Sequence, residues 1–237
     1  TRMRLRVGTS GFSYKEWKGA FYPEDLPAGG MLRYYAGQLP AVEINSTFYR
    51  MPRSSVLESW AEQVGDGFRF VLKASRRITH MKRLKDAGDE TDYLFSTAAT
   101  LGDRLGAILF QLPPNMRKDT QRLVDFLRFV PKGFRAAFEF RHDSWFDEDV
   151  YAALSEHSCA LCAAETDESE PPATISTTGW GYVRLRRTEY DAERLAAWVE
   201  RVRSQDWSEA FVFFKHEDAG AGPRLAAEFL ELGALAD

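Results

Sequence analysis

Short apolar segments alternate with longer amphipathic segments along the whole chain. Eight of the segments are apolar over four to seven residues, which is typical of strands buried in a parallel sheet. They span residues 5–8, 41–45, 68–73, 106–112, 136–140, 158–164, 181–185 and 210–215. The pattern therefore predicts eight buried strands.

Apolar residues at helical spacing fill most of the gaps between these strands. The helical pattern covers residues 54–64, 92–105, 119–129, 147–156, 192–203 and 222–232, and more weakly residues 31–39. Residues 165–178 are instead acidic, contain proline and are rich in Ser and Thr, so a loop is predicted there.

Strands that alternate with helices favour a parallel sheet with helical crossovers, and eight strands is the number that closes a TIM-type (β/α)8 barrel. We therefore predict an α/β protein with a single barrel domain over residues 1–237. A doubly wound open sheet is the alternative. It would usually carry a glycine-rich phosphate fingerprint after its first strand, which Gly8-Thr9-Ser10-Gly11 does not match.

The composition narrows the class of protein. Hydrophobic residues make up 44% of the chain, enough for a sizeable core, yet no apolar run approaches the ~18 residues that span a bilayer. With no signal-peptide pattern either, a cytoplasmic protein without membrane partners is expected. The net charge of −4 excludes a globally basic nucleic-acid surface, although an anion pocket built locally from arginines stays open.

Two cysteines, Cys159 and Cys162, have the C-x-x-C spacing of redox and zinc motifs. They lie in an apolar strand, where residues three apart point to opposite faces, and a second pair of zinc ligands is missing. We expect both thiols to be reduced, buried and structural.

Two glutamates stand inside apolar strand sequence, Glu43 in the second strand and Glu139 in the fifth. A buried carboxylate is costly unless it is paired, and in a barrel the strand ends share one rim that supplies catalytic groups. Glu43 and Glu139 are therefore the candidate general acid and base. Internal salt bridges without chemistry are the alternative interpretation.

Other polar and aromatic residues follow the same strands and are predicted to bind substrate. Cations would hold an anion, amides and His216 would orient it, and aromatic rings would stack on it. The predicted set is Tyr14, Trp17, Asn45, Tyr49, Lys73, His80, Gln111, Arg141, Trp145, Arg184, Lys215 and His216. The basic stretch 73–85 is either a solvated loop or an electrostatic lip for phosphate or nucleic acid.

Histidines at three strand ends, His80, His142 and His216, could join the carboxylates as metal ligands. No local spacing of histidines supports such a site, and no nucleophile elbow of the G-x-S-x-G type is present. We therefore predict neither a metal nor another cofactor.

Several motifs resemble the YecE-like family, known as domain-of-unknown-function family 72, from near one end of the chain to the other. They are Gly8 to Trp17, Phe21 to Pro23, Val42 to Tyr49, Phe70 to Ala74, Ile78 to His80, Gly106 to Pro113, Glu139 to Arg141, Ser144-Trp145, Tyr182 to Arg184 and Phe213 to His216. The resemblance implies a TIM-type barrel and little about activity. Arg186-Arg187 stand where the family leads us to expect His-Gly, which removes a rim histidine and adds positive charge.

These observations favour an enzyme that acts on an anionic, phosphate-containing substrate, with a nucleotide or a nucleic-acid strand as candidates. A glycoside hydrolase is the second hypothesis, because two carboxylates at barrel strand ends are its minimum equipment. A non-catalytic barrel that binds an anion or a protein partner is the third. The oligomeric state is not predicted.

Overall fold

Eight parallel strands close into one barrel in the computed structural model, which describes residues 2–168, 173–216 and 220–236. The strands are β1 (Arg4–Ser10), β2 (Ala41–Ile44), β3 (Arg69–Lys73), β4 (Leu105–Gln111), β5 (Ala136–Glu139), β6 (Ala160–Glu165), β7 (Trp180–Leu185) and β8 (Glu209–Phe214). Strands β8 and β1 pair from Arg4↔Glu209 to Thr9↔Phe214 and so complete the ring. The predicted TIM-type barrel is confirmed.

Helices follow the strands on the outside of the barrel. In the described part of the chain they are α1 (Met31–Gln38), α2 (Ser54–Glu62), α3 (Gly88–Ala98), α4 (Thr120–Leu127), α5 (Glu148–Glu156), α6 (Ala192–Arg203) and α7 (Ala221–Leu235). Aspartates cap several of them: Asp119 of α4 accepts a hydrogen bond from the backbone N–H of Arg122 at 3.0 Å, and Asp191 of α6 accepts one from that of Arg194 at 2.8 Å. None of the described helices is long and apolar enough to cross a membrane.

Two connections bear on the sequence predictions. The helix predicted at 92–105 begins earlier, at Gly88, and ends at Ala98. A 3₁₀ segment continues to Arg104, and within it Gly102 has a positive φ of 56°, outside the helical range. After β6, residues 166–168 and 173–179 form neither helix nor strand, in agreement with the predicted loop. Residues 169–172 of that loop lie outside the described residues.

Side chains along each strand alternate between the barrel interior and the helices. The interior is filled by a cluster of small, aliphatic and aromatic residues: Ala41, Val71, Ala107, Leu109, Ala137, Ala160, Cys162, Trp180, Tyr182, Phe211 and Phe213. A larger cluster packs the opposite strand faces against the helices. Polar side chains replace this apolar filling at both ends of the barrel.

The two thiols divide between these two clusters. Cys162 belongs to the interior and Cys159 to the cluster under the helices, and both are free and buried. Burial raises the pKa of the Cys159 thiol to about 12 and that of Cys162 well above its ordinary value. The prediction that both thiols are buried and unpaired is confirmed.

Candidate functional site

An arginine lies between two glutamates at the carboxyl end of the barrel interior. Arg184 of β7 donates hydrogen bonds to Glu43 of β2 from Nη2 to Oε1 at 2.8 Å and from Nε to Oε2 at 3.2 Å. Its Nη1 donates to Oε1 of Glu139 on β5 at 3.0 Å. All three side chains are almost completely buried. We call Glu43, Glu139 and Arg184 the buried cluster; its net charge is negative by one.

Three further side chains complete the hydrogen bonds of the glutamates. Ser10 Oγ donates to Glu43 Oε1 at 2.8 Å, the Tyr182 hydroxyl donates to Glu43 Oε2, and Gln111 Nε2 donates to Glu139 Oε2 at 2.5 Å. Strand alternation places these donors, since Tyr182 precedes Arg184 by two residues and therefore shares its inward face. With several donors on each carboxylate, burial of the charged forms is tolerated.

Both glutamates of the buried cluster are ionised at neutral pH. Burial alone would raise their pKa values, but the adjacent charge of Arg184 outweighs it, together with the hydrogen bonds to each carboxylate. The pKa of Glu43 falls below its ordinary value, and that of Glu139 falls to about 2. Neither carboxylate holds a proton that it could give to a substrate at neutral pH.

Three cations, Lys73, Arg141 and Arg186, stand around the buried cluster at the rim. Arg141 Nε lies 3.9 Å from Oε2 of Glu139, and Lys73 Nζ lies 4.2 Å from the centre of the Phe48 ring. Within the described residues, the side chains of Lys73 and Arg186 make no hydrogen bond and no ion pair. Burial and then the charge of Arg184 lower the pKa of Lys73 to about 8, so it is mostly an ammonium at neutral pH. The three cations outweigh the single net negative charge of the buried cluster.

A cavity of about 780 Å³ opens beside Glu139 at the carboxyl ends of β5, β6 and β7. Its charged lining residues are Glu139, Arg141, Asp143, Glu168 and Arg186, and its apolar wall includes Phe140, Phe146 and Ile175. The two further acids, Asp143 and Glu168, are exposed. Solvent screens their repulsion of an anion more strongly than it screens the attraction of the half-buried Arg186.

The aromatic residues predicted to stack on a ligand do not gather at this cavity. Trp17 and Trp145 end the 3₁₀ turns that follow β1 and β5, and both are fully buried. Trp145 stacks on Phe140 with 4.5 Å between ring centres and donates to the Met116 carbonyl at 2.7 Å. Since neither indole reaches the surface, their predicted contact with a ligand is not supported. Tyr14 packs on Trp17.

Three other predicted ligand contacts occupy different settings. Tyr49 is 72% exposed, with the Arg76 guanidinium 5.7 Å from its ring. His80 lies near the rim cations, and burial and the charge of Lys73 lower its pKa. Asn45 comes directly after β2. Its side-chain Oδ1 is buried without a hydrogen-bond partner among the described residues, so Asn45 stays a candidate for orienting a substrate.

The residues predicted after β8 lie apart from the buried cluster. His216 is hydrogen-bonded through Nε2 to the Arg187 carbonyl and packs against Tyr190 and Phe214 on the helix side of the sheet. This position does not support its predicted role in orienting a substrate. Lys215 is exposed. No three His, Cys, Asp or Glu side chains in the described residues form a group that could hold a metal ion.

The list of candidates derived from the sequence missed Ser10 and Tyr182. Strand alternation could have identified both residues as facing inward. Tyr182 is two residues from Arg184 on β7, and Ser10 is the last residue of β1. Tyr182 was overlooked because an aromatic residue in an apolar strand normally predicts core packing.

Comparisons with known proteins agree with this fold. The family model described as "Protein of unknown function DUF72" matches residues 6–236. The UPF0759 protein YecE of Escherichia coli K12 is 32% identical over 116 residues, which are 48% of this chain and only 43% of YecE, so the match spans less than half of that relative. The UPF0759 protein YunF of Bacillus subtilis is 22% identical over 96% of this chain and 94% of its own. A DUF72 family protein from Thermotoga maritima superposes with a TM-score of 0.84 and 27% identity, covering 99% of this chain and 100% of that one.

Proposed function

The chain belongs to the DUF72 protein family, and because that membership names no reaction, we propose from the geometry that it is an enzyme acting on an anionic, phosphate-type substrate. The anionic group would bind between Lys73, Arg141 and Arg186, above the buried cluster. The observation that carries this proposal is the pair Lys73 and Arg186, which are half-buried cations without an ion pair among the described residues. A partly desolvated charge is costly when unpaired, and a bound anion would offset that cost.

The pKa values suggest which groups would move protons. Glu139 is ionised and lines the cavity, so it can accept a proton from an attacking water. Lys73, with a pKa of about 8, can protonate the leaving oxygen at neutral pH. The weak basicity of Glu139 suits phosphoryl transfer, whose loose transition state relies more on charge stabilisation than on a strong base. Glu43 would hold Arg184 in place.

Several features bear on the size of the substrate. The cavity of about 780 Å³ accommodates a nucleotide-sized molecule or part of a longer strand. The basic stretch that follows β3 and the exposed Tyr49 would extend the contact surface for a phosphodiester chain. Phosphomonoesters and phosphodiesters are therefore both included in the proposal, and the experiment separates them.

The glycoside hydrolase hypothesis fits the charges less well. Such an enzyme needs one carboxylic acid that is protonated at the working pH to release the leaving group. In this site the pKa values of both Glu43 and Glu139 are lowered, and Arg184 binds both carboxylates. The acid required by that mechanism is missing from the pair.

Titration of the protein with inorganic phosphate by calorimetry tests the binding step. Replacing Arg186→Met should weaken binding at the rim about 10-fold or more, because one charge-assisted contact is worth about 1.5–3 kcal/mol. The matched control is Arg33→Met, which removes the same charge from an exposed position on α1 and should change nothing. The proposal is refuted if phosphate binds at the carboxyl end of the barrel with equal affinity in the wild type and in Arg186→Met.

Chromogenic phosphomonoesters and phosphodiesters test the chemical step. If Lys73 donates a proton, turnover should be present below pH 8, fall as the pH rises through about 8, and disappear in Lys73→Met. Lys15→Met, an exposed lysine after β1, is the control. Phosphate binding without turnover of either ester class would leave the non-catalytic barrel as the correct hypothesis.

A further inference from the structure

Four arginines gather around one glutamate at the amino end of the barrel, opposite the candidate active site. Glu209 begins β8, and its carboxylate lies 3.1 Å from Arg135 Nη1, 3.7 Å from Arg6 Nε and 3.7 Å from Arg4 Nη1. Arg69 stands beside them and donates from Nη1 to the backbone carbonyls of Asp66 and Phe68. Arg69 therefore has no carboxylate of its own in the described residues.

The charges of this group do not balance. Besides Glu209, the nearby acids are Asp103, which lines the adjoining cavity and is exposed, and Asp66, whose carboxylate binds Arg104 at 3.0 Å. The side chain of Arg6 is 6% exposed, and its Nε has no hydrogen-bond partner among the described residues. Burial and the neighbouring arginines also lower the pKa of Arg6, against the attraction of Glu209. A single carboxylate thus serves several guanidiniums, one of them deeply buried.

A cavity of about 380 Å³ opens where two of these arginines meet the surface. Arg69, Arg135 and Glu209 line it, together with the glycines Gly102, Gly106 and Gly133. A Cβ at Gly102 or Gly133 would meet nothing within 4 Å, so these glycines leave the mouth of the cavity open. The space is sufficient for one small tetrahedral or planar oxyanion with its water.

We propose that this cavity is a second anion site, in which a small oxyanion binds to the guanidinium groups of Arg69 and Arg135. The planar fork of each guanidinium matches the oxygens of a phosphate or a carboxylate. A salt bridge that only closes the barrel would need one or two arginines, whereas three pair with Glu209 and Arg69 adds a fourth cation beside them. The anion would stabilise the folded barrel increasingly as its concentration rises, because the site exists only when β3, β4, β8 and the residues just before β5 are assembled.

Trp180 provides a local reporter for the test. Its ring lies 5.3 Å from the Arg135 guanidinium, so an anion that draws Arg135 away should change its fluorescence. The wild type is titrated with sodium phosphate and with sodium acetate against chloride at constant ionic strength, while fluorescence and melting temperature are recorded. We expect a saturable change with at least one of the two anions, and their comparison decides between a phosphate and a carboxylate ligand. The variant Trp180→Phe should lose the fluorescence change.

Variants assign the signal to the amino end. Arg135→Met, and Arg135→Lys as the milder change that keeps the charge but loses the fork, should each weaken the anion response about 10-fold or more. Arg33→Met should leave both the fluorescence and the melting-temperature response unchanged. Arg186→Met should leave the Trp180 fluorescence response unchanged, because Arg186 is not near this cavity. The proposal is overturned if phosphate and acetate act as chloride does, or if Arg186→Met abolishes the fluorescence response. It is equally overturned if both Arg135 variants respond like the wild type.

Discussion

Replacing Arg184→Met should destabilise the protein more than most single substitutions do. The guanidinium is the counter-charge for Glu43 and Glu139, and all three side chains are buried. Breaking a buried ion pair by removing one partner typically costs about 3–5 kcal/mol, and here two carboxylates lose the same partner. The Glu139 carboxyl alone, with its pKa lowered from 4.5 to about 2, accounts for about 3 kcal/mol at neutral pH, since one pH unit of pKa difference is worth about 1.4 kcal/mol. We expect a loss of roughly 5 kcal/mol at pH 7, a large part of the stability of a typical domain.

The loss should depend on pH with a definite sign. In the wild type the pKa of Glu139 is lower in the folded state than in the unfolded chain. Its stabilisation is therefore fully present above about pH 4.5 and disappears as the pH falls through about 2. In Arg184→Met the counter-charge is missing, so burial raises the pKa of both glutamates in the folded state. Below these raised pKa values the folded variant binds more protons than the unfolded chain, and its stability therefore increases as the pH falls. The difference between wild type and variant should be smaller at pH 4 than at pH 7.

Urea unfolding at both pH values measures these differences. Arg224→Met is the matched control, because within the described residues Arg224 pairs with the exposed Glu228 one helical turn away, a contact that should contribute less than about 0.5 kcal/mol. If Arg184→Met is too unstable to measure alone, combining it with Glu43→Gln and Glu139→Gln removes the uncompensated charges and should restore a cooperative transition. A loss below about 1 kcal/mol at pH 7, or an equal loss at the two pH values, would refute the electrostatic reasoning.

Three further predictions concern the barrel wall and interior. Gly8→Ala should lower the melting temperature by several degrees or prevent folding, as a Cβ there would lie 1.8 Å from the Ala41 carbonyl oxygen, and an unchanged melting temperature would contradict this close approach. Cys159 and Cys162 should react with a thiol reagent only at the rate of unfolding, and rapid labelling of the native protein would show that they are accessible. Trp145→Ala should lower the free energy of unfolding in urea by about 3–5 kcal/mol without changing phosphate affinity. A small loss of stability with a large loss of phosphate affinity would instead indicate a direct ligand contact.

The strand pattern was sufficient to predict the fold. Apolar runs such as 106–112 and 210–215 are typical of strands buried on both faces of a parallel sheet, and eight of them in alternation with helices favour a closed barrel. Charged residues inside such runs, above all Glu43 and Glu139, already indicated polar contacts at the strand ends. Strand periodicity also placed Cys159 and Cys162 on opposite faces before any tertiary contact was known.

Which charged side chains contact each other becomes apparent only in the folded barrel. The sequence placed Lys73, Arg141, Arg184 and Lys215 at strand ends without indicating which of them pairs with the glutamates. In the folded barrel Arg184 binds both carboxylates. That outcome depends on the stagger of strands far apart in the chain, because the height of each side chain along the barrel axis follows from the register of all eight strands together. Local spacing carries no information about that register, so it could not separate a buried indole such as Trp145 from one that faces a ligand. Closure of the barrel also brings the amino-end arginines close to Glu209. These residues come from β1, β3, β8 and the segment just before β5, so no single segment of the sequence could indicate that they lie together.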